Sequence, residues 1–242
     1  MKCSLCREDK ALIKAHIIPH GFYRPLKTDG AIPEMHSNTP GAFPRRTPVG
    51  VFDCNILCQD CDAIMGPWDQ HAQEVLLKPP PQESLLFYRG QMVGAQIKEF
   101  KYEPLKLFFI SLLWRASIST QPFFKLISLG PHEETLRQMI IQHDPGSPED
   151  YAVTLGRFED PEAQGMLNPH SELFEGINYC RFYLTGVVAY IKVDHRPSVS
   201  PLRDFTIKEN EPITVIIRSL HQSKDGKLMK EIAHNALLHH KR

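Results

Sequence analysis

Residues Ala11 to Ile18 are rich in β-branched side chains, which predicts a strand that Pro19 ends. On a strand side chains alternate, so His16 shares a face with Lys14 and Ile18, while Ala15 and Ile17 face the other way. Val49 to Phe52 predicts a second strand. A helix is expected to begin near Gln59 or Asp60 and to carry Cys61 and Asp62. Gly66-Pro67 should interrupt it, because proline removes a backbone donor and clashes with the preceding turn. A second helical piece, Trp68 to Lys78, then runs to Pro79-Pro80-Pro81. Between the two strands, residues 21–48 hold several prolines and glycines together with Arg24, Lys27, Arg45 and Arg46, and show no sustained period. The basic residues of so long an excursion suit phosphate contact, and a plain solvated loop explains them as well.

Beyond the three prolines the pattern is that of a larger mixed body. Ser84 to Phe100 predicts a hairpin about Arg89-Gly90, and Leu105 to Ser119 is apolar on most of its circumference, as expected of a helix inside a core. Glu133 to His143 is an amphipathic helix ended by Asp144-Pro145-Gly146. Tyr151 to Phe158, Tyr179 to Leu184, Val187 to Val193 and Ile213 to Leu220 read as strands, the middle two joined at Thr185-Gly186 as a hairpin. Lys227 to His240 is a last amphipathic helix. The prolines mark a boundary between a unit at 1–78 and an α+β unit with a largely antiparallel sheet at 82–242, whose expected role is recognition or partner binding.

Composition changes this picture little. Hydrophobic residues make up 42% of the 242, enough for a real core, and Lys+Arg and Asp+Glu both total 28. A net charge of zero argues against a non-specific DNA coat and leaves room for a local groove. The longest apolar run, Leu107 to Trp114, is flanked by Lys106 and Arg115 and is well short of the ~20 residues that span a bilayer. Met1-Lys2-Cys3-Ser4 has no apolar secretory stretch, so a cytoplasmic protein with no membrane partner is expected. At the other end Arg218, Lys224, Lys227, Lys230, Lys241 and Arg242 stand against Asp225 and Glu231, with His221, His234, His239 and His240 among them. Such a helix suits a phosphate backbone, although a charged solvent face is the commoner explanation.

Chemistry enters through the cysteines. Four of the six stand in two Cys-x-x-Cys pairs, Cys3 with Cys6 and Cys58 with Cys61, and Cys54 and Cys180 are left over as buried thiols or bystanders. Zinc takes four soft ligands, each pair donates two, and the intervening chain must return to close the site, so a structural zinc on these four is expected. Such pairing suits metal ligation in a reducing compartment better than a disulfide framework.

The joint pattern of Cys-x-x-Cys, a strand with His16-Ile17-Ile18-Pro19, a turn with Asn55 and then Leu57-Cys58-Gln59-Asp60-Cys61 leading a helix resembles the zinc-containing HNH endonucleases, which have the ββα-metal fold. The resemblance covers about Met1 to Lys78. It implies a ββα-metal zinc-knuckle module that hydrolyses phosphodiester bonds of nucleic acid, DNA more than RNA, and modules of this kind joined to an unfamiliar body often serve in defence against foreign DNA or in mobile elements. In that likeness His16 matches the general base that deprotonates water. Asn55 matches the asparagine that orients the base. Asp62 stands where the family places the ligand of a catalytic divalent ion, here Mg2+ or Mn2+. Asp53, Asp69 or His71 are candidate partners for Asp62, whose charge would also suit the start of a helix. Two positions depart from the family pattern. Ala15 occupies the place of a common metal-binding acid or histidine, and Asn55 lies only three residues before Cys58. A catalytically inactive zinc module that binds nucleic acid or protein is the alternative.

Overall fold

The computed structural model describes residues 1–26, 34–35, 45–47, 49–160, 166–220 and 223–240. Lys27, His221, Lys241 and Arg242 lie outside the described residues. In chain order the elements are β1 (Ala15–His16), β2 (Glu34–Met35), β3 (Arg45–Arg46), β4 (Phe52–Asp53), α1 (Gln59–Leu76), β5 (Leu85–Tyr88), β6 (Gln91–Ile97), α2 (Tyr102–Ile118), α3 (His132–Gln142), β7 (Val153–Phe158), β8 (His170–Phe174), β9 (Ile177–Leu184), β10 (Val187–Lys192), β11 (Ile213–Arg218) and α4 (Lys224–His240). Short 3-10 turns, among them His20–Leu26, fill several connections.

The strand expected over 11–18 contracts to Ala15–His16, because the residues before it serve the second cysteine pair: Leu12 bridges Cys58 and the Ile13 N–H donates to the Leu57 carbonyl. The second strand begins at Phe52, after Gly50 has turned the chain with a φ of +84°. β1 and β4 pair antiparallel, Ala15 opposite Asp53 and His16 opposite Phe52. The expected break at Gly66-Pro67 does not occur, and α1 runs unbroken through it. Both residues are exposed, and so is Ala63, whose carbonyl would have received the missing proline donor, so water can serve that group. On the other face Cys61, Met65, Trp68, Ala72, Val75 and Leu76 are buried at helical spacing, and this burial outweighs the proline.

The body is built on a seven-stranded sheet in the order β5-β6-β11-β7-β10-β9-β8, antiparallel except where β11 runs parallel to β7. The two expected hairpin turns are present, with positive φ at Arg89 and Gly90 and at Thr185 and Gly186. The strand β8 was not expected. It lies at the sheet edge, with Leu173 and Phe174 exposed, so its apolar residues carry no buried alternation.

Side-chain alternation gives the sheet two apolar faces. Val153, Leu155, Phe182, Leu184, Ala189 and Ile191 join the main core, while Phe158, Tyr183 and Val188 pack with Leu228, Met229 and Ile232 of α4. α2 is buried around most of its circumference, Phe108, Phe109 and Trp114 included. Its two flanking charges are buried as well. The Lys106 ammonium donates to the carbonyls of Ser147 and Asp150, and burial pulls its pKa down to about 7. One continuous cluster of buried apolar residues runs from Cys3 and Leu5 through α1 and α2 to the sheet, so residues on both sides of the three prolines share a core. Among the described residues no helix is long and apolar enough to cross a membrane.

Candidate metal centre and the His16 site

The first cysteine pair sits on a tight knuckle. The Arg7 N–H donates to the Cys3 carbonyl at 2.9 Å, the Cys3 N–H to the Glu8 carbonyl at 3.0 Å, and Arg7 adopts a left-handed φ of 64°. The second pair opens α1, with Cys58 just before its first turn and Cys61 within it. Two links bring the knuckles together: the Ser4 N–H donates to the Ile56 carbonyl, and the Cys58 N–H to the Cys3 sulfur at 3.4 Å. The Sγ atoms of Cys3, Cys6, Cys58 and Cys61 consequently all lie within 4.8 Å of one another. A tetrahedral thiolate site with bonds of about 2.3 Å separates its sulfurs by about 3.8 Å, so this cluster can hold a metal ion. The thiols are pulled in opposite directions. Burial raises Cys3, but the N–H groups of Cys58, Cys6 and Leu5 outweigh it and bring its pKa to about 7, whereas burial and the neighbouring thiols push Cys61 well up.

His16 lies half-buried on β1, beside this cluster in the fold but facing a different neighbourhood. Its Nε2 hydrogen-bonds with the Val49 carbonyl at 2.9 Å. A carbonyl can only accept, so in the neutral ring the proton sits on Nε2 and Nδ1 is the basic nitrogen. The ring meets Phe52 edge-on at 6.2 Å between centroids and His20 at 5.9 Å. Lys14, exposed and just before the strand, places its ammonium 5.4 Å from the centre of the Phe52 ring.

Opposite this strand, α1 presents Asp62 and Asp69, seven residues apart and therefore on one face. Burial raises both carboxyls above the ordinary aspartate value, against the pull of the Arg115 guanidinium and of His16. Arg115 comes from the last turn of α2 and is 1% exposed. It forms a bidentate pair with Asp69, Nη2 to Oδ1 at 2.7 Å and Nη1 to Oδ2 at 3.0 Å, and its Nη1 also donates to the His16 carbonyl at 2.9 Å. His16, Asp62, Asp69 and Arg115 thus form one electrostatic cluster. No local pattern in the sequence marks Arg115, which stands at the end of an apolar run like any flanking charge.

The other expected residues are placed differently. Ala15 is buried. Asp53 is fully buried and its carboxylate accepts from Asn55, Ser119 and Thr120, so it is not a partner for Asp62. Asn55 is exposed; its backbone N–H donates to Asp53, while the carbonyl that meets His16 is that of Val49. The His71 Nε2 accepts the Lys101 N–H at 3.0 Å and belongs to the junction with α2. Of the two remaining cysteines Cys180 is a buried thiol, while Cys54 is exposed on the turn between β4 and α1 and stands outside the cluster. In the C-terminal stretch Arg218 is engaged with Asp225 at 2.7 Å, as is Arg181, so these charges fasten α4 to the sheet and leave Lys224, Lys227 and Lys230 as the exposed cations of that helix. Comparison of the chain with models of known protein families, with curated proteins and with solved structures finds no match.

Proposed function

We propose that the chain is a metal-dependent endonuclease of the HNH type that hydrolyses phosphodiester bonds of DNA. One observation carries the reading: an antiparallel strand pair is followed directly by α1, and His16 on the strand and Asp62 in the first helical turn fall in one electrostatic cluster next to four convergent cysteines. This order and these residue types agree with those of the resemblance, and the convergence of the four cysteines supports the reading.

In this reading zinc on Cys3, Cys6, Cys58 and Cys61 fastens the start of α1 to the N-terminal knuckle and takes no part in the reaction. His16, its Nε2 held by Val49, presents Nδ1 to take a proton from the attacking water. Asp62 is the residue to hold a Mg2+ or Mn2+ ion, which would polarise the phosphate and stabilise the departing oxygen. Lys14, whose ammonium lies over the same Phe52 ring that His16 meets, is suited to a neighbouring phosphate. DNA is the favoured substrate by resemblance, and the exposed Arg24, Arg46 and Lys14 supply local positive charge on a chain of zero net charge.

A second reading, an inactive zinc module that binds nucleic acid or protein, is favoured by Ala15, which can ligate nothing, and by the engagement of Asp69 with Arg115, which leaves Asp62 with few protein partners for a metal. The two part company in one experiment. The purified chain is incubated with supercoiled plasmid and either Mg2+ or Mn2+, alongside His16→Ala and Asp62→Ala. Nicking by the wild type that both variants lose supports the endonuclease. Equal cutting by His16→Ala removes that residue from the mechanism, and DNA binding without cutting, unchanged in both variants, supports the binding module.

A further inference from the structure

The geometry points to Arg115 as a positioning residue for His16, so that a side chain from the body beyond the three prolines completes the site in 1–78. The inference rests on the endonuclease reading above and names a residue that the HNH-like stretch does not itself contain.

β1 is only two residues long, too short for its ladder alone to fix the backbone of His16. What holds that backbone from the side of α2 is the Arg115 Nη1, which donates to the His16 carbonyl at 2.9 Å. The same guanidinium grips Asp69 on α1 through two parallel hydrogen bonds. Its Nε donates to the Ser111 carbonyl at 3.3 Å and its Nη2 to the Ser111 hydroxyl at 3.4 Å, so all five N–H groups of the side chain are used. Fully engaged and 1% exposed, Arg115 has no donor left for substrate and cannot touch a phosphate. Its chemistry is that of a fixed fork joining three elements: β1 through a carbonyl, α1 through a carboxylate, and α2 through its own turn.

The arrangement sets the distance between the two proposed working groups. His16 hangs from the strand and Asp62 from the helix, seven residues before Asp69 on the same face. Loss of the fork removes a direct tie between the His16 backbone and α1, while the Asp53 bonds and the Leu12–Cys58 bridge still hold the strand pair. Lysine cannot replace it, because an ammonium is a point donor and cannot form the bidentate pair and the carbonyl bond in one plane. A small misplacement of a general base costs on the order of 10- to 100-fold in rate.

The test compares full-length, zinc-loaded wild type with Arg115→Lys, and with Arg115→Met/Asp69→Leu, which removes both charges and keeps an apolar filling should the lysine variant fail to fold. Two readings are taken on each folded variant: kcat and KM for plasmid nicking, and the 15N resonances of the His16 ring in its neutral form. The wild type should show a single tautomer protonated at Nε2. In the variants kcat should fall by about 10-fold or more with KM within about twofold, and the His16 nitrogens should move toward the average of two tautomers. A folded variant whose kcat and His16 resonances both match the wild type overturns the proposal. A wild type that cuts no nucleic acid under any metal defeats the endonuclease reading instead. The ring resonances then decide alone whether Arg115 holds His16, a wild-type spectrum in the variants overturning it and a mixed tautomer sustaining it.

Discussion

The carboxylate of Asp53 on β4 accepts both the backbone N–H of Thr120 at 2.6 Å and its hydroxyl at 2.8 Å, across 67 residues of chain. Ser119 adds its hydroxyl at 3.2 Å and the Asn55 N–H binds the other oxygen at 2.9 Å. Asp53 stands directly opposite Ala15, so this bond set anchors the strand pair that carries His16 to the residues just after α2. Two side chains, Asp53 and Arg115, therefore tie the small N-terminal sheet to the last turn of α2 and the residues just after it.

The Asp53 contacts make a pH-dependent prediction. Burial raises this carboxyl, but the four donors outweigh it and hold its pKa below the ordinary aspartate value. A group whose folded pKa is depressed stabilises the fold above its unfolded pKa of about 3.9, and that contribution disappears as pH falls through the lower, folded value. Asp53→Asn should destabilise the chain by roughly 2–3 kcal/mol at neutral pH, since it loses charge-assisted bonds and turns an amide toward donors. Denaturant unfolding of both proteins from pH 7 downward should show the difference shrinking below about pH 4. A difference independent of pH would mean that the charge of Asp53 contributes nothing.

The four-cysteine cluster predicts one tightly held metal per chain. Structural zinc in small modules contributes folding free energy of about 10–16 kcal/mol by apparent binding, so its loss is a folding event and not a local one. Cys3→Ser and Cys61→Ser should each abolish stoichiometric zinc by elemental analysis, and chelator should lower the melting temperature of the wild type. Cys54→Ser should keep full zinc content, because Cys54 lies outside the cluster. Retention of stoichiometric zinc in Cys61→Ser would exclude the tetrad as its site.

The same distinction predicts thiol reactivity. Cys54 is exposed, whereas Cys180 is buried, its pKa pushed up to about 11 by burial, with the Ser171 hydroxyl beside it. The thiolate is the reactive form, so Cys180 is doubly protected. Iodoacetamide on the native, zinc-loaded protein should add one label, at Cys54, and denaturation should expose the rest. Labelling of native Cys180 at a rate similar to Cys54 would contradict the burial of β9.

What could be read from the sequence was local. The spacing within each cysteine pair, the all-round apolar character of Leu105 to Ser119 and the turns at Arg89-Gly90 and Thr185-Gly186 each express a short-range physical demand, and each reappears in the fold. Gly66-Pro67 was misleading because local propensity was set against a buried face made by residues on the far side of the same helix. Strand β8 could not be seen because an edge strand with exposed Leu173 needs no apolar alternation. The candidate site is half legible. His16 and Asp62 announce themselves by residue type and position, but Arg115 meets Asp69 and His16 at separations of 46 and 99 residues, and the Val49 carbonyl is a backbone group that any residue would supply.

That last contact depends on Gly50, which follows Val49 directly. Gly50 has a φ of +84°, a conformation in which an L side chain is strained, and a Cβ built on it would lie 2.3 Å from the Tyr23 ring. Tyr23 is itself buried, so the ring cannot swing away into solvent. Gly50→Ala should therefore cost about 1–3 kcal/mol through backbone strain, with overlap against Tyr23 adding to it. Rotation of the peptide that joins Val49 to Gly50 is the most direct relief of the strain, and it turns the Val49 carbonyl off the His16 Nε2. Gly50→Ala should accordingly shift the His16 ring resonances while leaving zinc content intact, since the four cysteines lie on the N-terminal knuckle and at the start of α1. A variant as stable as the wild type, with unchanged His16 resonances, would show that the close approach of Gly50 to Tyr23 does not fix the carbonyl that orients His16.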